Sequence, residues 1–182
     1  MSKTINHENI SEVIRKRRRA LHIKHGYISL LIRIILLAAG SYILFTQVFL
    51  ITQASGNGMF PAIKDGDLVI AFRLHKDFVK NDIALYKNNE GTYLGRVIAR
   101  ENDVVTLDES GALLVNSILQ RGEIVYPTYA KEGYEYPLKV SPGAIFLLGD
   151  HRLETLDSRD FGPIPLIQLE GKVITILRRR GL

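Results

Sequence analysis

The chain has 182 residues, enough for one well-buried domain and an appendage. Its 24 Lys and Arg exceed its 19 Asp and Glu by five, but residues 1–26 alone hold seven basic and two acidic side chains and so account for the whole net charge of +5. From Tyr27 onward the signs balance and no cysteine is present, which excludes a basic face for nucleic acid, disulfides, and any metal site built on thiolates.

In chain order, residues 1–26 read as a basic cytoplasmic tail whose core is Arg15-Lys16-Arg17-Arg18-Arg19. Residues 27–51 form an apolar run that rises about 37 Å as a helix, against about 30 Å of hydrocarbon in a bilayer. The run is longer than the 7–15 apolar residues typical of a cleaved signal peptide, so it reads as an uncleaved anchor. Its single charge, Arg33, stands near the N-terminal end, where a long side chain snorkels to the headgroups. The basic flank predicts a single-pass cell-membrane protein with its N-terminus in the cytoplasm and its C-terminal domain outside.

Residues 52–182 change to short apolar runs separated by turn residues, the pattern of a mainly β domain. Strands are predicted over 68–72, 83–86, 93–99, 104–107, 112–115, 124–126, 144–148 and 172–177. A hairpin loop is predicted at Asp108-Glu109-Ser110-Gly111. No helical stripe of useful length follows the anchor. The five histidines have no metal-ligand spacing, and no metal or other cofactor is expected.

Two glycine-rich polar stretches, each with isolated large apolar residues, stand out as functional loops. Ser55-Gly56-Asn57-Gly58-Met59-Phe60-Pro61 resembles the Ser-Gly-x-Ser-Met-x-Pro box of type I signal peptidases. Asn81-Asp82-Ile83-Ala84 resembles the Gly-Asp-Ile-Val strand of that family. Tyr93-Leu94-Gly95-Arg96-Val97-Ile98 resembles its Tyr-x-Lys-Arg-Val-Ile strand, with Glu101-Asn102-Asp103-Val104 where the family has Pro-Gly-Asp-x-Val. The stretch from Gly149-Asp150-His151-Arg152 to Asp157-Ser158-Arg159 resembles its Gly-Asp-Asn-Arg-x-x-Ser-x-Asp-Ser-Arg box. The boxes occur in family order behind an anchor and cover nearly the whole chain.

The resemblance implies a signal-peptidase-like β-barrel domain behind one transmembrane helix. It also implies an outer-face peptidase in which a serine attacks the scissile carbonyl and a buried, neutral lysine takes its proton. The departures fall on those two positions: Gly58 stands in the place of the serine and Gly95 in the place of the lysine. Loss of the nucleophile alone costs a factor on the order of 10⁶ in a serine hydrolase.

The resemblance therefore implies a non-catalytic relative that binds or positions exported or surface proteins by strand addition. Such relatives accompany pilus operons of Gram-positive bacteria, which implies pilus subunits as clients and a sortase as a neighbour. The alternatives are an active peptidase using a surrogate such as Ser55 or Ser158 with Lys64 or Lys87, and a purely structural membrane protein. Met59, Phe60, Pro61 and Ile83 are the expected substrate-binding residues, with Met59 to Pro61 either resting on lipid or packing in the core. Asp150, Arg152, Thr155, Asp157 and Arg159 are expected to brace the site, and Asp157 with Arg159 to form an ordering ion pair. His151 is expected to be solvated. Gly95 is expected to accept a side chain, and the glycines to widen the groove.

Overall fold

The computed structural model describes residues 7–75, 77–120 and 126–178. Helix α1 runs His7–Val48. It contains no proline and is rich in Leu, Ile and Ala, and the Thr46 hydroxyl donates back to the carbonyls of Tyr42 and Ile43 within it. Its stretch His25–Val48 has a mean hydropathy of 2.2 and none of it is buried within the chain, which makes it long and apolar enough to cross a membrane. The helix stops three residues before the expected end of the anchor. Phe49, Leu50 and Ile51 instead open strand β1, Phe49–Gln53, where β-branched and aromatic residues find a partner strand.

The chain divides into two compact units, Met1–Thr46 and Gln47–Leu182. The second unit is mainly β. Its further strands are β2 Leu68–Phe72, β3 Ile83–Lys87, β4 Thr92–Ala99, β5 Val104–Leu107, β6 Leu113–Val115, β7 Ile118–Leu119, β8 Leu138–Lys139, β9 Ala144–Leu148, β10 Ile164–Pro165 and β11 Leu169–Leu177. Helix α2, Ser158–Phe161, and a 3₁₀ turn at Leu166–Gln168 complete it. The expected strand over 124–126 falls largely outside the described residues, and Tyr126 itself lies in a bend.

All strand pairs are antiparallel. A seven-stranded sheet has the order β1-β2-β11-β3-β4-β9-β10, and a four-stranded sheet the order β7-β6-β5-β8. Every residue of β9 is buried, because both faces of that strand are covered. Ala144, Phe146 and Leu148 pack with β5 and β6, whereas Ile145 and Leu147 pack with Ala84, Tyr86 and Val97. Burial on both sides is why its sequence is a continuous apolar run instead of an alternating one. A third cluster, Ala54, Met59, Ile63 and Val69, lies beneath the loop after β1.

One outer face of the large sheet carries a group of apolar side chains beside Gln53 and Thr175. The pairs Phe49 with Phe72, Ile51 with Ile70, and Leu68 with Leu177 place these side chains on it, since directly opposed residues share a face. Ile51, Leu68 and Leu177 are exposed, and Phe49 packs on Phe72 with ring centroids 5.8 Å apart.

The long β11 is threaded tightly between β2 and β3. A Cβ at Gly171 would stand 2.8 Å from the carbonyl oxygen of Phe72. Gly171→Ala is therefore expected to destabilise the folded chain by about 1–3 kcal/mol, read as a lowered denaturation midpoint in detergent.

Candidate functional site

Two loops meet around a cleft of about 330 Å³. Residues 52–59 form one wall, the start of β4 with Leu85 forms another, and residues 154–156 close the third side. The first loop is held by Ala54, whose N–H donates to the Asp67 carbonyl at 2.8 Å and whose carbonyl accepts from Gly66 N–H at 2.9 Å. Gly56 N–H donates to the Asp65 carboxylate at 2.8 Å. Met59 is buried in the cluster beneath, while Phe60 and Pro61 are exposed. Of the two expected placements, Met59 takes the core. Ile83 also packs against that cluster and does not line the cleft, which is walled on that strand by Leu85.

The second loop, residues 149–157, is organised from beneath by buried charge. The Asp157 carboxylate is fully buried, and its ion pair with Arg159, at 2.8 Å, is closed to solvent on both sides. Asp157 also caps α2 by accepting from Arg159 N–H and accepts Gly149 N–H at 3.2 Å. Arg159 continues to the carbonyls of Arg152, at 2.6 Å, and Tyr129, at 3.2 Å. Arg152 is itself buried, donating to the Gly149 carbonyl and the Thr128 hydroxyl. Burial holds its guanidinium down to about 10. Asp150 takes a two-pronged contact from Arg96 at 2.7 and 2.5 Å, which ties the loop to β4. Lys131 reaches the Thr155 carbonyl at 2.6 Å and Asp160 at 2.7 Å.

The five residues expected to brace the loop thus lie together on or under it. Arg96 and Lys131, to which sequence reasoning gave no role, hold it from either side. Arg96 was marked only by its place beside Gly95. Nothing local marks Lys131, which arrives from a distant segment.

The loops touch through backbone. His151 N–H donates to the Gly58 carbonyl at 3.0 Å. A Cβ at Gly149 would meet Thr155 Oγ1 at 2.2 Å and the Gly58 oxygen at 2.6 Å, so glycine is required there. The side-chain space at Gly58 is already bounded: a Cβ would lie 3.0 Å from Thr155 Oγ1. At Gly95 it would lie 3.0 Å from Leu147 Cβ and 3.4 Å from Tyr86 Cε1. Position 95 accepts a side chain only if Leu147 and Tyr86 give way. Tyr86 stacks on Tyr93 at 5.7 Å. Burial first, and the Asp157 carboxylate second, push its phenol well above the usual range.

Comparison with known proteins gives the family. The profile of the family described as "Signal peptidase, peptidase S26" matches residues 25–177. The chain belongs to this signal peptidase family. It is 31% identical over 134 residues to a signal peptidase I of Bacillus caldolyticus, covering 65% of this chain and 73% of that protein. It is 29% identical over 132 residues to thylakoidal processing peptidase 1 of Arabidopsis thaliana, covering 64% of this chain. The chain spans 38% of the length of that relative and 34% of the related peptidase 2. A signal peptidase I of Enterococcus faecalis V583 of known structure matches with a TM-score of 0.46 and 23% identity, over 54% of this chain and 97% of that one.

The surrogates that the sequence offered to this signal peptidase homologue differ in their surroundings. Ser158 is fully buried, and its oxygen accepts Leu147 N–H at 2.9 Å. Ser55 lines the cleft and is exposed. Lys64 sits over the Phe60 ring, its Nζ 5.9 Å from the centroid. Lys87 is exposed at the end of β3. His151 is not the solvated residue expected: its side chain is only 14% exposed, with its ring 4.5 Å from that of Tyr126 and Nδ1 3.4 Å from Glu154. Among the described residues no group of His, Cys, Asp or Glu is arranged to hold a metal.

Replacing Asp157 by Ala leaves the Arg159 guanidinium buried without its partner. It is expected to cost about 3–5 kcal/mol in chemical denaturation. Tyr136, beside the same pair, is pushed up from 10.0 to about 12, mainly by burial. The folded chain therefore keeps this proton to higher pH than the unfolded chain does, so its contribution is intact below pH 10 and is lost as pH rises through about 12. Arg152, lowered from 12.5 to about 10, has the opposite slope over that interval. Comparing wild type with Tyr136→Phe cancels the arginine, and the variant is expected to lose less stability between pH 10 and 12.

Proposed function

We propose that this chain is a non-catalytic signal peptidase homologue that binds or positions exported proteins at the outer face of the cytoplasmic membrane. Its specific role is that of an assembly factor or chaperone for surface pili, working near a sortase. The observation that carries the reading is the chemistry at two positions. Where the family resemblance calls for a nucleophilic hydroxyl and a buried amine there are Gly58 and Gly95. The space at each is bounded by Thr155 in one case and by Leu147 and Tyr86 in the other. Acyl transfer needs a nucleophile and a group to take its proton, and neither stands there.

A receptor for an extended segment remains. Residues 92–95 of β4 pair with β3 on one side only, because pairing with β9 begins at Arg96. Strand β1 is an edge of the large sheet. Both border the cleft, so a client strand entering it finds unpaired backbone on which to add. The family's bracing loop keeps its buried ion pair, which holds the cleft open to such a segment without any bond being broken. The exposed apolar side chains of Ile51, Leu68 and Leu177 support contact with lipid, and α1 supports anchoring.

The test is incubation of the detergent-solubilised chain with a preprotein carrying an Ala-x-Ala site, alongside Gly58→Ser/Gly95→Lys and that double variant with Thr155→Ala. Wild type is expected to yield no mature product while retaining the unprocessed segment in a pull-down. Cleavage is expected to appear first in the triple variant, where removing the Thr155 hydroxyl takes away the nearest atom to a side chain at position 58. Wild-type cleavage at more than about 10⁻⁶ of an active relative's rate would overturn the reading.

A further inference from the structure

The cleft has one charged wall residue. Apart from Glu154, every residue that lines it is neutral, and its floor is apolar, with Met59, Ile63, Leu85 and Leu94. Glu154 is a lining residue with a side chain 67% exposed, and the one ion-pair contact recorded for it among the described residues is His151 Nδ1 at 3.4 Å. The fixed cations nearby in the fold are committed elsewhere. Lys131 is bound to the Thr155 carbonyl and Asp160, Arg152 to the Gly149 carbonyl and Thr128, and Arg96 to Asp150.

We infer that the cleft selects an extended client segment carrying a lysine or arginine, whose cationic head meets Glu154 while the rest of the segment lies along the edge of β4. This rests on the reading of the cleft as a receptor for an extended strand. The geometry favours a long cationic side chain over a charge on the client backbone. The cleft lining includes Met59, Ile63, Leu85 and Leu94, so an aliphatic stem finds apolar surface to cover while the head remains in water beside the exposed carboxylate. An acidic client side chain in the same place meets an unneutralised negative charge and is disfavoured.

The test uses full-length chain in detergent and fluorescent eight-residue peptides of Ala, Val and Ser, with lysine walked through each position and norleucine or glutamate as controls. Binding is read by anisotropy. At one position lysine is expected to bind about two- to fivefold more tightly than norleucine, as an exposed ion pair would give, with the advantage shrinking as salt is raised. Glu154→Gln is expected to bring the lysine peptide down to its norleucine counterpart, and Glu154→Lys to transfer the preference to glutamate. Binding with no charge preference, or a lysine preference that survives Glu154→Gln, overturns this inference alone. Failure of wild type to bind any peptide overturns it together with the receptor reading.

Discussion

A fully buried carboxylate is the constraint from which the loop architecture follows. Asp157 can remain charged away from water only if every oxygen lone pair is met, and the chain supplies Arg159 side-chain and backbone donors and Gly149 N–H. Meeting those demands fixes the entry to α2, the position of Gly149 and the course of the loop between them. Arg159 then reaches the Arg152 carbonyl, and Arg152 returns to the Gly149 carbonyl, so the second buried cation closes a ring around the same few residues. The fully buried Ser158 adds a bond to β9 and locks the ring to the sheet.

That ring decides what happens at Gly58. Once Gly149 and Thr155 are in place, the Gly58 carbonyl is held by His151 N–H, and Thr155 Oγ1 lies next to the space a side chain at 58 would enter. On the other side, Gly95 faces Leu147 and Tyr86, both at most 2% exposed. The buried network of the loop is therefore in place while positions 58 and 95 carry no side chain. A scaffold of buried ion pairs is destabilised when any member is lost, whereas a serine or lysine side chain outside that network can be absent without unfolding it. This asymmetry accounts for a chain that keeps Asp157 and Arg159 and has glycine at 58 and 95.

The same scaffold leaves strand edges open beside the cleft. An unpaired edge is a liability in a soluble β domain, and here two of them border one recess with apolar side chains and a carboxylate in its lining. Recognition by backbone pairing tolerates many side chains, so selectivity falls to whatever the walls contribute. Glu154 is the wall residue with a charge to contribute.

Much of this was legible in the sequence by itself. The long apolar helix, the mainly β body, seven of the strands to within three residues, the two special loops and the Asp157–Arg159 pair all follow from local patterns: an unbroken apolar run, short runs between turns, and residues of opposite charge two apart. The limits of such patterns appear where long-range pairing intervenes. Residues 49–51 are apolar enough for the anchor, but the ladder to β2 draws them into β1. Met59 and Ile83 were placed in the cleft by resemblance; Met59 lines it from the buried cluster beneath, whereas Ile83 packs against that cluster and is not part of the lining. Lys131, Arg96 and Glu154 acquire their positions from segments distant in the chain or from the tilt of a loop, and His151 is sheltered by rings that no local pattern joins to it. The sequence determined which groups are present and, at 58 and 95, which are missing; tertiary packing decided how much room those glycines leave, because the neighbours that bound them come from other strands and loops.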